Sequence, residues 1–173
     1  MLSTRTRVPF GHALRLVLAS LLVVIAFAAT MTVTDAHEHR EVGEYSLEVG
    51  FIEEPALVNQ PNGLFLSVTM HTGEESDATA EAGEEEGEEG PPVEGLEETL
   101  QAEISNGAET KSLELRPIFD TPGAYTADVF PTATGAYTFR IFGTIEGMEV
   151  DESFTSGPET FSEIEAVDDI AFP

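Results

Sequence analysis

Apolar and polar residues alternate along most of the chain from Tyr45 onward, the two-residue period of half-buried strands and not the 3.6-residue period of amphipathic helices. Tyr45, Leu47, Val49 and Phe51 fall on one face of a first strand, with Ser46, Glu48 and Gly50 on the other. Leu64, Leu66, Val68 and Met70 repeat the pattern after the turn-rich Asn59-Gln60-Pro61-Asn62-Gly63. Leu100, Ala102 and Ile104 predict a third strand, Asn106-Gly107 a hairpin, and Ser112 to Leu115 a fourth strand that Pro117 ends. Gly123 to Phe130, Gly135 to Phe142 and Met148 to Phe154 predict three more, the last two joined at Ile145-Glu146-Gly147. About seven short strands with regular turn signals predict an all-β, immunoglobulin-like two-sheet sandwich over residues 37–155.

Three stretches depart from the alternation. Residues 73–92 are almost wholly Glu, Asp, Gly, Ala and Pro, too poor in apolar surface to offset ordering entropy, which predicts a disordered acidic insert between two strands. Residues 156–173 form an acidic tail with scattered Phe161, Ile164, Val167, Ile170 and Phe172, which lies along a sheet edge or hangs free. At the other end, Arg5, Arg7 and Arg15 precede an apolar run from Leu16 to Ala29, the anatomy of a secretory signal over residues 1–36. An uncleaved membrane anchor is the competing reading, because Leu16 to Val33 is nearly long enough to span a bilayer. Cleavage fits after Ala36 or after Ala28. Either way the domain is expected outside the cytoplasm: periplasmic, in the cell envelope, or secreted.

The formal charge of −26 narrows the partners. Beyond residue 36 the only Lys and Arg are Arg40, Lys111, Arg116 and Arg140. Such a surface repels nucleic acid and anionic lipid, and favours cations, cationic partners or simple solubility. Cysteine is absent, so neither disulfides nor thiolate ligands are available, and the fold stands on apolar packing alone.

Catalysis is not expected. There is no Gly-x-Ser-x-Gly and no cysteine, and most carboxylates lie in the acidic segment, where no fixed pair can be held for acid/base work. His37-Glu38-His39 carries a sharper signal. If the signal is removed after Ala36, the new amine, two backbone amides and the imidazole of His39 form a square-planar nitrogen set of the kind that Cu(II) prefers, with the His37 side chain as an added ligand. Met70, His71 and Met148 supply further thioether and imidazole groups suited to copper, with Met70 expected to point into the sandwich and His71 out. Without metal, the histidines are solvated and the methionines fill the core. Glu84-Glu85-Glu86 and Glu88-Glu89 offer weak sites for Ca²⁺ or a basic partner, or simple solubility, since an ordered calcium-loop spacing is missing.

Gly123-Ala124-Tyr125-Thr126 returns as Gly135-Ala136-Tyr137-Thr138. In the second copy the glycine and tyrosine that start the penultimate strand resemble the tyrosine corner of immunoglobulin-like sandwiches, an ordinary strand tyrosine being the alternative. An exported, cysteine-free sandwich whose mature chain begins with histidine also resembles the periplasmic copper-resistance proteins of the CopC type. The run from Pro122-Gly123-Ala124-Tyr125 to Gly135-Ala136-Tyr137 is similar to the related YtkA-like domains. The resemblance implies Cu(II) bound by the amine and imidazole of His37; the family's later His and Asp ligands have no match here, and its methionine-rich Cu(I) segment is missing. Two functions follow as expectations. One is an exported copper-binding carrier or resistance-type protein; the other is a non-catalytic envelope module that contacts another protein.

Overall fold

A computed structural model describes residues 37–71 and 90–173. The expected signal and most of the expected acidic insert, including its glutamate runs, lie outside the described residues. Nine strands form: β1 (Glu38–Val42), β2 (Tyr45–Phe51), β3 (Asn62–Met70), β4 (Leu100–Asn106), β5 (Glu109–Leu113), β6 (Arg116–Pro117), β7 (Ala124–Val129), β8 (Thr138–Ile145) and β9 (Met148–Thr155). They make two antiparallel sheets, ordered β1-β2-β3-β7-β6 and β5-β4-β8-β9. Strands adjacent in sequence thus switch sheets between β3 and β4 and again around β6 to β8, the immunoglobulin-like sandwich that the alternation predicts.

The inner faces are the apolar sets read from the alternation. Leu47, Val49, Phe51, Leu64, Leu66 and Val68 meet Phe139, Ile141, Ile145 and Phe154 across the sandwich, all with no exposed surface. Aromatic rings fill one end of it. Phe51 stands edge-on to Phe139, with centroids 5.1 Å apart, and both rings pack on Phe161 from the C-terminal segment.

Three features were not expected from the sequence. Residues 38–42 form an edge strand, because β1 pairs in register with β2, Glu38 opposite Val49 and Val42 opposite Tyr45. Residues 156–173 belong partly to the core: a turn closed from Thr160 N–H to the Gly157 carbonyl folds the chain back, burying Phe161 and Ile164. Ile164 then exchanges both backbone hydrogen bonds with Gly135, at 2.9 and 3.1 Å. Finally, residues 91–92 are part of the fold and not of an insert, since Pro92 bridges Thr69 and the Pro91 carbonyl accepts from Met70 N–H at 2.8 Å.

The two long sides of the sandwich differ. On one side β1 and β9 are the edge strands, and Arg40 seals the gap between the sheets. Its guanidinium lies 4.3 Å from the centre of the Phe154 ring, donates to Glu152 at 2.8 Å and to the Ser153 carbonyl, and pairs with Glu38. On the other side the edges are β5 and the two-residue β6, where no comparable clamp is built among the described residues.

Candidate functional site

The residues expected to share a metal ion are divided between two regions of the sandwich. His37 lies just before β1, across Gly50, where the missing side chain leaves its imidazole free to stack on Phe65 of β3 with centroids 4.6 Å apart. Nδ1 lies 2.7 Å from Glu48 Oε1 and Nε2 lies 3.2 Å from the Phe51 carbonyl oxygen. Both ring nitrogens face acceptors, so only the doubly protonated ring satisfies both. The hydrogen bond to Glu48 holds the His37 imidazole above its ordinary pKa, outweighing the burial that lowers it. The same bond holds the Glu48 carboxyl below its ordinary value. His39 faces the same carboxylate, its Nε2 3.7 Å from Glu48 Oε1.

Met70, His71 and Met148 gather instead at the turn between β1 and β2. Met70 pairs with Tyr45, His71 N–H donates to the Glu44 carbonyl at 2.7 Å, and the Met148 sulfur occupies the space that a side chain on Gly43 would need. His71 Nδ1 is 3.7 Å from Glu41. Five residues of β2 separate this end from His37, roughly 16 Å at strand rise. Met70, expected to point inward, ends its strand with 40% of its surface exposed, because the sandwich stops there.

The five side chains expected to ligate copper are thus not brought to one place among the described residues. In a strand, consecutive N–H groups point to opposite edges, so the amides of Glu38 and His39 cannot turn together toward one square-planar ion while β1 stays paired with β2. The His37 imidazole is already committed at both nitrogens. Among the described residues, no group of three or more His, Cys, Asp or Glu side chains is placed to hold a metal ion.

The His37–Glu48 pair instead gives stability a pH dependence whose sign follows from the two shifts. A raised His37 pKa contributes stability that is complete below its ordinary 6.5 and lost as pH rises through the folded value. A lowered Glu48 pKa contributes stability present above its ordinary 4.5 and lost as pH falls through the folded value. The His37→Phe variant is therefore expected to lose most stability relative to wild type between these limits, about 1 kcal/mol for a partly buried charged hydrogen bond. Urea unfolding of both proteins from pH 4 to 9 measures it; parallel profiles would rule the pair out as a contributor.

A second candidate lies on the unsealed side. Between the β4–β5 hairpin and the loop joining β7 to β8 runs an open groove of about 320 Å³. Ile104, Leu113, Val129 and Tyr137 form its apolar lining, Phe130 stands at its lip with 55% of its surface exposed, and Lys111 faces into it. Its walls are fixed by hydrogen bonds. The Tyr137 hydroxyl donates to the Ala133 carbonyl four residues upstream at 3.0 Å, the geometry of a tyrosine corner, and holds the loop against β8. Asn106 of the hairpin donates from Nδ2 to the Ala136 carbonyl at 2.8 Å, and Asn59 N–H binds the Pro131 carbonyl at 2.8 Å.

The first Gly-Ala-Tyr copy does different work at the other end. The buried Tyr125 hydroxyl donates to the Val93 carbonyl at 2.7 Å and accepts from Leu96 N–H at 3.1 Å, fixing the crossover into β4. Sequence reasoning singled out Tyr137 but missed Glu48, Phe65 and the other groove residues. Register across β2 and β3, and the pairing of β5 with β4, bring them together, and no local motif marks either.

No family model and no curated protein matches the chain, so the expected likeness to the CopC-type and YtkA-like proteins finds no support there. Among solved structures, the chain is similar to a DUF4426 family protein from Pseudomonas aeruginosa, 13% identical with a TM-score of 0.46, over 73% of this chain and 96% of that one. It is also similar to the Lin-41 filamin domain, 13% identical with a TM-score of 0.35, over 68% of this chain and 91% of that one.

Proposed function

We propose that the chain is a non-catalytic, extracytoplasmic immunoglobulin-like module that holds another protein at the β5 side of its sandwich. One observation carries the reading: the sandwich is clamped by Arg40 on its β1–β9 side but left open over an apolar floor on the β5–β6 side. An edge strand with unpaired backbone groups invites pairing with another chain, and folds usually cover or blunt such edges. Here the edge adjoins a groove whose walls are held in place before anything binds, which lowers the ordering cost of association. An extended segment added along β5 would satisfy the free backbone groups and lay alternate side chains into the groove. A second copy of the same chain is a poor occupant, since two bodies of charge −26 repel.

A random peptide library displayed on phage and panned on the full chain tests this. Peptides selected should shift the backbone amide resonances of residues 104–113 and 129–137. Phe130→Asp should weaken them roughly ten-fold or more, as loss of a central aromatic anchor does. The equivalent change at Phe119, exposed on the turn between β6 and β7, should leave them unaffected. Resonance shifts confined to another surface, or equal losses in the two variants, would overturn the reading.

A further inference from the structure

Lys111 stands out among the cations. Of the four Lys and Arg beyond residue 36, Arg40 pairs with Glu38 and Glu152, Arg116 with Asp128, and Arg140 with Glu103 and Asp151. Lys111 has no carboxylate within ion-pair distance among the described residues, in a chain with 33 Asp and Glu. Its register explains its direction. Lys111 sits opposite Ile104, and Leu113 opposite Ala102, so it takes a position on the inward face of β5 where an apolar residue would close the core. The side chain instead lines the mouth of the groove beside Glu109.

An inward-pointing lysine on an edge strand rejects most incoming strands, because an apolar or basic neighbour would strip its ammonium of water and offer nothing in return. A strand that brings a carboxylate to the same place loses that penalty and gains an ion pair inside a partly dry groove. We propose that Lys111 is the specificity residue of the groove, and that the segment it accepts is an extended polypeptide carrying apolar side chains next to one carboxylate. Phe130, Leu113 and Val129 take the apolar side chains, and the ammonium takes the acid. The overall acidity of the chain does not forbid this, since at physiological salt the distant carboxylates are screened beyond about 8 Å while a contact pair is not.

This inference rests on the groove being the binding surface, and the test separates the two. Three capped peptides that differ only at one central position, Val-Tyr-Asp-Val-Thr, its Asn form and its Lys form, are titrated into the isotope-labelled full chain and followed by amide resonance shifts. Shifts at residues 104–113 and 129–137 with any of the three test the groove itself. The expected order on wild type is Asp tightest, by roughly two- to five-fold over Asn, as for a half-exposed ion pair, and Lys weakest. Lys111→Glu should reverse that order, and Lys111→Gln should abolish it, while far-ultraviolet circular dichroism stays as in wild type. An order unchanged in Lys111→Glu, or equal affinities on wild type, would overturn the role of Lys111 and leave the groove standing. Absence of groove shifts with all three peptides, together with failure of the library selection, would overturn both.

Discussion

Truncating Phe161 to alanine should cost about 3–5 kcal/mol of folding stability, the range for deleting a fully buried aromatic ring. The ring has no exposed surface, lies 5.8 Å from Phe139 in a stacked arrangement, and meets Phe51 edge-on at 5.6 Å. Its removal opens a cavity at the end of the sandwich that neither neighbour can fill without leaving its rotamer, because each is packed against the other. With domain stabilities of about 5–15 kcal/mol, such a loss consumes a large part of the total. Urea unfolding followed by tyrosine fluorescence measures it. Val167→Ala, six residues later in the same segment and 39% exposed, is the control and should cost less than about 0.5 kcal/mol. Equal small effects would mean that the C-terminal segment lies outside the core.

The two Gly-Ala-Tyr copies give the second large effect, because alike sequences occupy unlike places. Gly123 has φ +75°, and a Cβ there would come within 2.7 Å of the Pro92 Cβ and 2.9 Å of the Val68 carbonyl oxygen. Neither contact can yield cheaply. That carbonyl accepts from Val93 N–H, and the Val93 carbonyl in turn binds the Tyr125 hydroxyl, so pushing Pro92 away disturbs the whole crossover. Gly123→Ala should therefore lose about 3 kcal/mol, from backbone strain and overpacking together. Gly135 has φ +102° but open space around it, so Gly135→Ala carries only the strain, about 1 kcal/mol. Thermal unfolding of the two variants side by side decides it, and comparable losses would refute the difference in surroundings.

Where strands carry an apolar inner face the sequence reads clearly: β2, β3, β4, β7 and β9 each fall within two residues of the alternation that predicts them, while β8 is shifted three residues onward and takes in Ile145, a residue expected in the turn. β1 escaped because its inward residues are Glu38, Arg40 and Val42. A guanidinium with its carboxylates replaces apolar side chains there, and alternation of charged with polar residues has no hydropathy signature. Phe161 and Ile164 escaped for another reason: they enter the core from irregular chain, which has no period to detect. The paired histidines drew attention as neighbours in sequence, yet what decides their chemistry is Glu48 and Phe65, contributed by two further strands. Lys111 is likewise an unremarkable strand residue until register shows which way it faces.

The burial of Phe161 also fixes when the fold can be completed. Residues Phe161 and Ile164 are synthesised after all nine strands, and until they arrive Phe51 and Phe139 lack the ring that covers them. Sheet formation is itself late, since β3 must wait for β7 and β4 for β8, pairings that span long stretches of chain and fold slowly. A growing chain that has reached β9 thus holds every strand but an unfinished core, and remains open to unfolding or to passage through a narrow channel until its last aromatic residue but one docks.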